Sequence, residues 1–138
     1  MRKAILCAFI AISTLISCSS DSDEQYTEDK SFSFKIIETK TYYNNAGTWE
    51  EITNSALYTT DDSRLYYEKK TKLLTYEFSK GYYTQSPVTF ENGKFVSIYM
   101  NLNIGLISKH TYERKKGYIE CLEYSNDELL YKYIYRTR

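Results

Sequence analysis

The stretch Val88–Val96, VTFENGKFV, carries the clearest structural signal in the chain. Asn92 and Gly93 readily adopt the two positive φ angles of a type I′ turn, the turn that best matches the twist of a β-hairpin. The aromatic and β-branched residues on both sides favour extended strands. The stretch therefore predicts a hairpin in which Phe90 faces Phe95 across the two strands.

A similar phrase occurs twice further along, TYEFSKGYYT from Thr75 and TYERKKGYIE from Thr111. Each copy has a glycine between two strand-like flanks, and a glycine in the left-handed conformation closes a three-residue hairpin loop with a bulge. In the second copy, a loop at 115–117 would set Arg114 opposite Tyr118. The similarity stops outside about eight residues, so the phrase indicates shared turn chemistry rather than a duplicated module.

Turn signals separate strand-like stretches throughout the chain from Phe32 onward. A single proline and the lack of long 3.6-residue periodicity argue against helices. The predicted fold class is all-β, an antiparallel up-and-down meander of eight to nine strands that would lose its exposed edges by closing into a small barrel. The predicted strands cover residues 32–43, 48–59, 64–69, 72–78, 82–90, 94–102, 106–114, 118–124 and 128–136.

The N-terminal segment, residues 1–17, has the composition of a signal peptide. Arg2 and Lys3 precede an apolar run, 4–16, that is shorter than the roughly 20 residues needed to span a bilayer. The tetrapeptide LISC, which ends at Cys18, resembles the lipobox of bacterial lipoproteins, in which the cysteine is lipidated and becomes the mature N-terminus. We therefore expect a membrane anchor at Cys18.

Residues 18–30 are polar and acidic, which predicts a solvated tether ahead of a single domain at residues 31–138. Ser19 resembles the residue that follows the lipidated cysteine in lipoproteins sent to the outer membrane. The Ser/Asp run resembles the export tag of surface-displayed lipoproteins in some Gram-negative lineages, and a merely flexible linker is the alternative. The expected location is the outer membrane of a Gram-negative cell envelope, on either its periplasmic or its extracellular face.

Four short motifs in order resemble small lipocalin-like bacterial lipoproteins of the calycin type. They are GTWE from Gly47, the hairpin VTFENGKF, the second repeated phrase, and NDELLYKYIY from Asn126. The resemblance implies a small β-barrel that binds a hydrophobic or amphipathic molecule in its mouth. It also implies that Trp49 packs at the closed end beside a basic residue, Arg136. In this family the G-x-W motif begins the first strand, whereas the strand predicted at 32–43 lies upstream of it.

Tyrosine is frequent, with 16 in the chain. On the last predicted strand every second residue is tyrosine, and this alternation places the tyrosines on one face. A tyrosine ring offers a flat apolar surface and a hydroxyl, which suits an amphipathic ligand or a sugar. The alternative is that the tyrosines only fill the core, because tyrosine packs well in sheets. The candidate ligand-binding residues are Tyr76, Phe78, Tyr124, Tyr131, Tyr133 and Tyr135.

Few residues are candidates for catalysis. His110 is the only histidine, and Cys121 is the only cysteine of the expected mature domain, so no disulfide is expected. Counting from the loop at 115–117, Thr111 faces Cys121, which would place His110 on the opposite face. The sequence has no nucleophile motif, metal-ligand cluster or phosphate loop, and its 18 basic and 18 acidic side chains disfavour nucleic acid. We expect a non-enzymatic protein without metal or cofactor.

Two functions are consistent with these observations. The leading hypothesis is a lipid-anchored protein that binds a small amphipathic or hydrophobic ligand. The alternative is an accessory or structural surface lipoprotein that binds a protein or glycan through exposed tyrosine-rich strands. A cavity lined with Tyr and Phe would favour the first, and a filled interior with an exposed aromatic patch would favour the second.

Overall fold

The computed structural model describes residues 30–53 and 59–138, so the predicted signal peptide, Cys18 and nearly all of the tether lie outside the described residues. The described part is all-β and antiparallel, which confirms the predicted fold class. It contains no helix that could span a membrane. The strands are β1 (Phe32–Asn45), β2 (Thr48–Glu51), β3 (Arg64–Glu68), β4 (Leu73–Ser79), β5 (Tyr82–Pro87), β6 (Thr89–Glu91), β7 (Lys94–Asn101), β8 (Leu106–Lys115), β9 (Tyr118–Ser125) and β10 (Glu128–Thr137).

The strands form one sheet in the order β5-β4-β3-β1-β10-β9-β8-β7-β6, with β2 paired to β1 beside this path. β1 belongs to two layers. Residues 32–35 pair with β3, and residues 36–43 pair with β10 across an irregular register between Ile36 and Glu38. We call β3, β4, β5 and the start of β1 the small layer, and β6 to β10 with the rest of β1 the large layer.

The two edges of the sheet meet at Val88. β5 and β6 stand at opposite ends of the strand order, yet β5 ends at Pro87 and β6 begins at Thr89. Since consecutive Cα atoms are about 3.8 Å apart, the sheet must curl until these edges touch at one corner. No ladder among the described residues pairs the two edges, so the sheet is not closed, and barrel closure stays a prediction.

The core lies between the two layers. The ring of Tyr67 on β3 lies 4.6 Å from that of Phe95 on β7, measured between centroids, although four strands separate β3 from β7 in the sheet. The ring of Phe32 lies 5.7 Å from Phe95 in the same cluster. The buried core residues are Ile36, Leu65, Tyr67, Leu74, Val88, Phe95, Ile119, Cys121 and Tyr135.

Most strands lie where they were predicted, but two differ. β2 ends at Glu51, so the strand predicted at 48–59 is shorter in the described residues. The strand predicted at 82–90 is two strands, because the chain passes from one layer to the other at Val88. Pro87 has no N–H to continue a ladder, whereas the Val88 N–H still bonds to the Lys72 carbonyl at 3.0 Å.

The predicted turn at Asn92 and Gly93 is confirmed, with Phe90 opposite Phe95. The hairpin of the second repeated phrase is shifted by one residue, because Tyr118 pairs with Lys115 rather than with Arg114.

Packing explains this shift. The observed register sets Tyr112 opposite Cys121 and Arg114 opposite Ile119, where the predicted one would have set Thr111 and Glu113 against these two core residues. The Arg114 guanidinium then lies 4.5 Å from the ring centroid of Phe34. A one-residue slip moves every side chain to the other face of the sheet, so this correction changes the candidate site.

The fold predicts different costs for the same substitution at two isoleucines. Ile119 is 1% exposed in the core, whereas Ile98 on β7 is 55% exposed. Ile119→Ala should lower the free energy of unfolding by about 2–5 kcal/mol through lost burial and a cavity. Ile98→Ala, the matched control, should cost less than about 1 kcal/mol, the range of strand propensity. Urea unfolding of both variants measures the difference, and equal losses would contradict the assigned faces.

Candidate functional site

The tyrosines of β10 form a row of stacked rings on the inner face of the large layer. Tyr135 is buried, and its ring lies 5.2 Å from that of Tyr76 in the small layer. Tyr133 stacks on Tyr135 at 6.3 Å with an interplanar angle of 11°, and Tyr131 stacks on Tyr133 at 6.3 Å with 28°. The row therefore runs from the core to the half-buried Tyr131.

A carboxylate and an imidazole lie beside the outer end of this row. Glu123 on β9 pairs with Tyr131 on one side and with His110 on the other, so all three share the inner face. The His110 Nε2 lies 3.6 Å from the Glu123 Oε2, and the Tyr133 hydroxyl donates a hydrogen bond to the same oxygen. The side chains of His110 and Glu123 keep 30% and 24% of their surface exposed.

Tyr43 on β1 completes this group, with its ring 5.6 Å from Tyr131. We call Tyr43, Tyr131, Tyr133, His110 and Glu123 the tyrosine face. Thr41 lies one inward position from Tyr43, opposite Tyr133, and its buried Oγ1 has no hydrogen-bond partner among the described residues. Buried polar atoms are usually paired with protein or water, so this hydroxyl is an exception, and it lies beneath the inner margin of the tyrosine face.

The charges of the tyrosine face are set by contacts within it. The nearby His110 imidazole lowers the pKa of Glu123, burial acts in the opposite direction, and the hydrogen bond from the Tyr133 hydroxyl lowers it further. Burial is the main cause that raises the pKa of Tyr133, and the hydrogen bond to Glu123 raises it further. At neutral pH the face therefore presents a carboxylate, a protonated phenol and the apolar surfaces of stacked rings.

The thiol near this face is not an activated nucleophile. His110 and Cys121 lie on the same face, so their predicted separation onto opposite faces was wrong, as a consequence of the shifted register. Tyr112, not His110, stands directly opposite Cys121. Burial raises the pKa of the Cys121 thiol far above neutral pH, so the reactive thiolate is not populated. The interpretation of Cys121 as a small buried core residue agrees with its position.

The structure brings together five of the six candidate ligand-binding residues. Phe78 continues the small-layer row, with its ring 6.2 Å from Tyr76. Tyr124 is the exception. The register shifts between Leu129 and Tyr131, so Tyr124 lies on the outer face, where the Lys109 ammonium is 5.7 Å from its ring centroid. A β-bulge inserts one residue and reverses the alternation, which is why the predicted stripe does not cross this turn.

The proposed partnership of Trp49 with Arg136 is wrong. Trp49 lies on the outer side of the sheet, and the Lys132 ammonium stacks over its indole at 4.4 Å. Arg136 instead pairs with Glu38, at 2.8 Å between Nη1 and Oε2. Gly47 serves the turn between β1 and β2, where its φ of 92° disfavours any other residue.

A concavity of about 420 Å³ lies beside the irregular part of β1. It is lined by charged, polar and aliphatic side chains and by none of the candidate aromatic residues. Among the described residues no group of three His, Cys, Asp or Glu side chains could hold a metal ion. The lining residues are Lys35, Ile36, Ile37, Thr59, Thr60, Asp61 and Arg138.

No protein-family model matches the chain, and no curated protein or solved structure matches it. The resemblance to lipocalin-like lipoproteins therefore rests on the short sequence motifs alone.

Removal of one hydroxyl tests the charge coupling in the tyrosine face. Tyr133→Phe should raise the pKa of Glu123, because a hydrogen bond that favours the carboxylate is lost. A carboxyl whose pKa is lowered by folding stabilises the fold above its ordinary pKa, and that contribution disappears as pH falls through the lowered pKa. The variant should therefore lose less stability than the wild type on acidification.

Carbon NMR of the Glu123 carboxyl, followed through an acid titration, measures this shift. Tyr131→Phe is the matched control, because Tyr131 stands opposite Glu123 but is not among the groups that shift its pKa. An unchanged Glu123 pKa in Tyr133→Phe would show that the phenol does not donate to this carboxylate.

Proposed function

We propose that the protein is a lipid-anchored, non-enzymatic binding protein of the cell envelope whose tyrosine face holds a small amphipathic molecule. The observation that carries this proposal is the stacked row from Tyr135 to Tyr131, with Glu123 and His110 beside its outer end. Small-molecule sites typically combine apolar and aromatic walls with a few polar groups that fix orientation. The tyrosine face has both components within one surface.

The rings and the carboxylate of the tyrosine face make different contacts with the ligand. The ring surfaces of Tyr43 and Tyr131 contact the apolar part of the ligand, since aromatic rings bury a large area at small entropic cost. The Glu123 carboxylate accepts a hydrogen bond from a ligand hydroxyl or ammonium. A ligand with one apolar side and one hydroxylated or cationic end suits this arrangement.

Binding is better supported than catalysis. The thiol of Cys121 is buried and protonated, and the pKa of the Glu123 carboxyl is lowered by the nearby His110 and by the hydrogen bond from Tyr133. A general acid or base works best with a pKa near the working pH, whereas the lowered pKa of Glu123 moves this group away from neutrality. These shifts suit a fixed acceptor in a binding site.

The alternative function, docking of a protein or glycan through exposed tyrosines, has one observation in its favour. Tyr82 and Tyr83 are both exposed on the edge strand β5. Neighbouring residues in a strand point to opposite faces, so these two rings do not form one aromatic patch. The tyrosine face is therefore the stronger basis for a function.

The ligand proposal is tested by native mass spectrometry of residues 25–138 purified gently from the producing cell. This segment contains all ten strands and every described core residue. We expect an added mass that disappears on denaturation and is lost in Tyr131→Ala, because this substitution removes the outermost ring of the row. Tyr124→Ala, on the outer face, is the matched control and should retain the mass. A bare wild-type chain, or equal loss in both variants, would refute the site.

The anchor is tested separately at Cys18. Cys18→Ser removes the thiol that carries the acyl chains, so the chain should leave the membrane fraction, since stable anchoring requires more than one buried acyl chain. Cys7→Ser, inside the predicted signal peptide, is the matched control and should leave the mature protein membrane-bound. Cell fractionation with intact-mass analysis measures both, and a wild-type chain that lacks the added mass of acyl chains would contradict the anchor.

A further inference from the structure

The hairpin of β7 and β8 exposes a group of large apolar side chains at its end. Leu102 and Ile104 are 85% and 71% exposed in the loop between the strands, and four neighbours on the strands are also exposed. Isolated exposed apolar residues are common, but a contiguous group indicates an interaction surface. We call this group the apolar tip, and it consists of Ile98, Tyr99, Met100, Leu102, Ile104 and Ile107.

The apolar tip is also without charge. No charged residue occurs from Phe95 to Ser108, although 26% of the whole chain is charged. The first cation after this run is Lys109, which pairs with Ile98 at the base of the tip. Two acids lie outside the tip but near its base, Asp127 in the turn after β9 and Glu128 at the start of β10, opposite Ser125. A hydrocarbon environment tolerates a run of uncharged residues. A lysine at the base of an inserted hairpin can extend its ammonium to the lipid phosphates.

The apolar side chains of the tip lie on both faces of the hairpin rather than on one. Met100 pairs with Ile107, so these two share one face of the hairpin, while Tyr99 projects from the opposite face beside Ser108. Leu102 and Ile104 lie beyond both strands in the loop. A folded protein partner usually covers one face, whereas a bilayer surrounds an inserted tip on every side. The distribution of these side chains therefore favours lipid over protein.

Part of the backbone of the tip is already hydrogen-bonded, although β7 has a neighbour on only one side after Val96 among the described strands. The Ile104 N–H bonds to the Asn101 carbonyl at 3.3 Å, and the Asn103 N–H bonds to the Asn101 Oδ1 at 3.2 Å. Ile107 is held to the neighbouring turn by two bonds of 2.8 Å with Asn126. These bonds matter because an unpaired backbone group costs several kcal/mol in hydrocarbon. They also limit insertion to the part of the hairpin beyond Asn126, which is a shallow depth and leaves Ile98, opposite Lys109, at the bilayer surface.

The proposed anchor can reach the same bilayer. The chain from Cys18 to Phe32 spans at most roughly 45–50 Å when extended. Phe32 contacts Phe95, and the strand from Phe95 to Asn101 covers about 20 Å. The tether is therefore long enough for Cys18 and the apolar tip to enter one membrane surface together.

We propose that the apolar tip inserts into the surface of the bilayer that carries the lipid anchor, so that the domain is held at two points. The tyrosine face lies toward the same end of the sheet, because Glu123 and His110 lie only two positions along their strands from Ser125 and Ser108 at the base of the tip. Insertion brings this face close to the lipid, from which an amphipathic ligand can reach it. This proposal rests on the proposed function only in one respect, that the lipid anchor brings the apolar tip close to the bilayer.

A single tryptophan reporter tests the insertion in the lipidated chain. Trp49→Phe removes the natural indole, and Leu102→Trp places a new one at the tip. The protein is reconstituted into vesicles of phosphatidylethanolamine and phosphatidylglycerol, with or without brominated acyl chains. We expect a blue shift of the emission in vesicles and strong quenching by bromine. Tyr82→Trp in the same background, at an exposed site on β5, is the matched control and should show neither effect.

The outcomes separate the two proposals. Flotation of the chain with the vesicles reports the anchor, whereas the emission of the introduced indole reports the tip. A floating chain with unshifted, unquenched emission at position 102 refutes insertion and leaves the anchor intact. A chain that does not float and shows no shift refutes both. A blue shift already present without vesicles assigns the tip to a protein surface, either a second copy or another part of this chain, and refutes the membrane proposal.

Discussion

The antiparallel pairing of β1 with β10 is the contact on which the rest of the structure depends. It joins the first and last described strands in the middle of the sheet, and the irregular register after Ile36 lets the same strand also pair with β3. Ile36 is fully buried at this bend, and its N–H bonds to the Ser63 carbonyl at 2.8 Å. Two layers can face each other only because one strand serves both. The stacked tyrosines of β10 meet Tyr76 as a direct result.

Local patterns were sufficient to predict most of the fold. Alternation and turn residues depend on neighbours in sequence, so the strands and the Asn92–Gly93 hairpin could be placed from sequence. Features set by contacts between distant strands were not predicted. The division at Val88 exists because the chain crosses between layers there, and the register after Lys115 is chosen by the burial of Ile119 and Cys121. Sheet closure likewise depends on long-range geometry.

The candidate site was predicted in part for the same reason. Alternation alone places Tyr131, Tyr133 and Tyr135 on one face, but the association of His110 with Glu123 depends on the register of a hairpin, which was wrong by one residue. A comparison of which residue best covers Cys121 would have favoured the correct register, since Tyr112 is a better core partner than Thr111. The apolar tip had a visible signal, the uncharged run within its hairpin, but burial was needed to show that these side chains face outward.

The β1–β10 pairing also constrains the order in which the domain can form. During synthesis the centre of the sheet stays incomplete until the last ten residues of the described strands have emerged, because β10 stands between β1 and β9. Contacts of such long sequence separation slow folding, since loop closure must precede them. A truncation of the C-terminus would divide the sheet at its middle, not trim its edge.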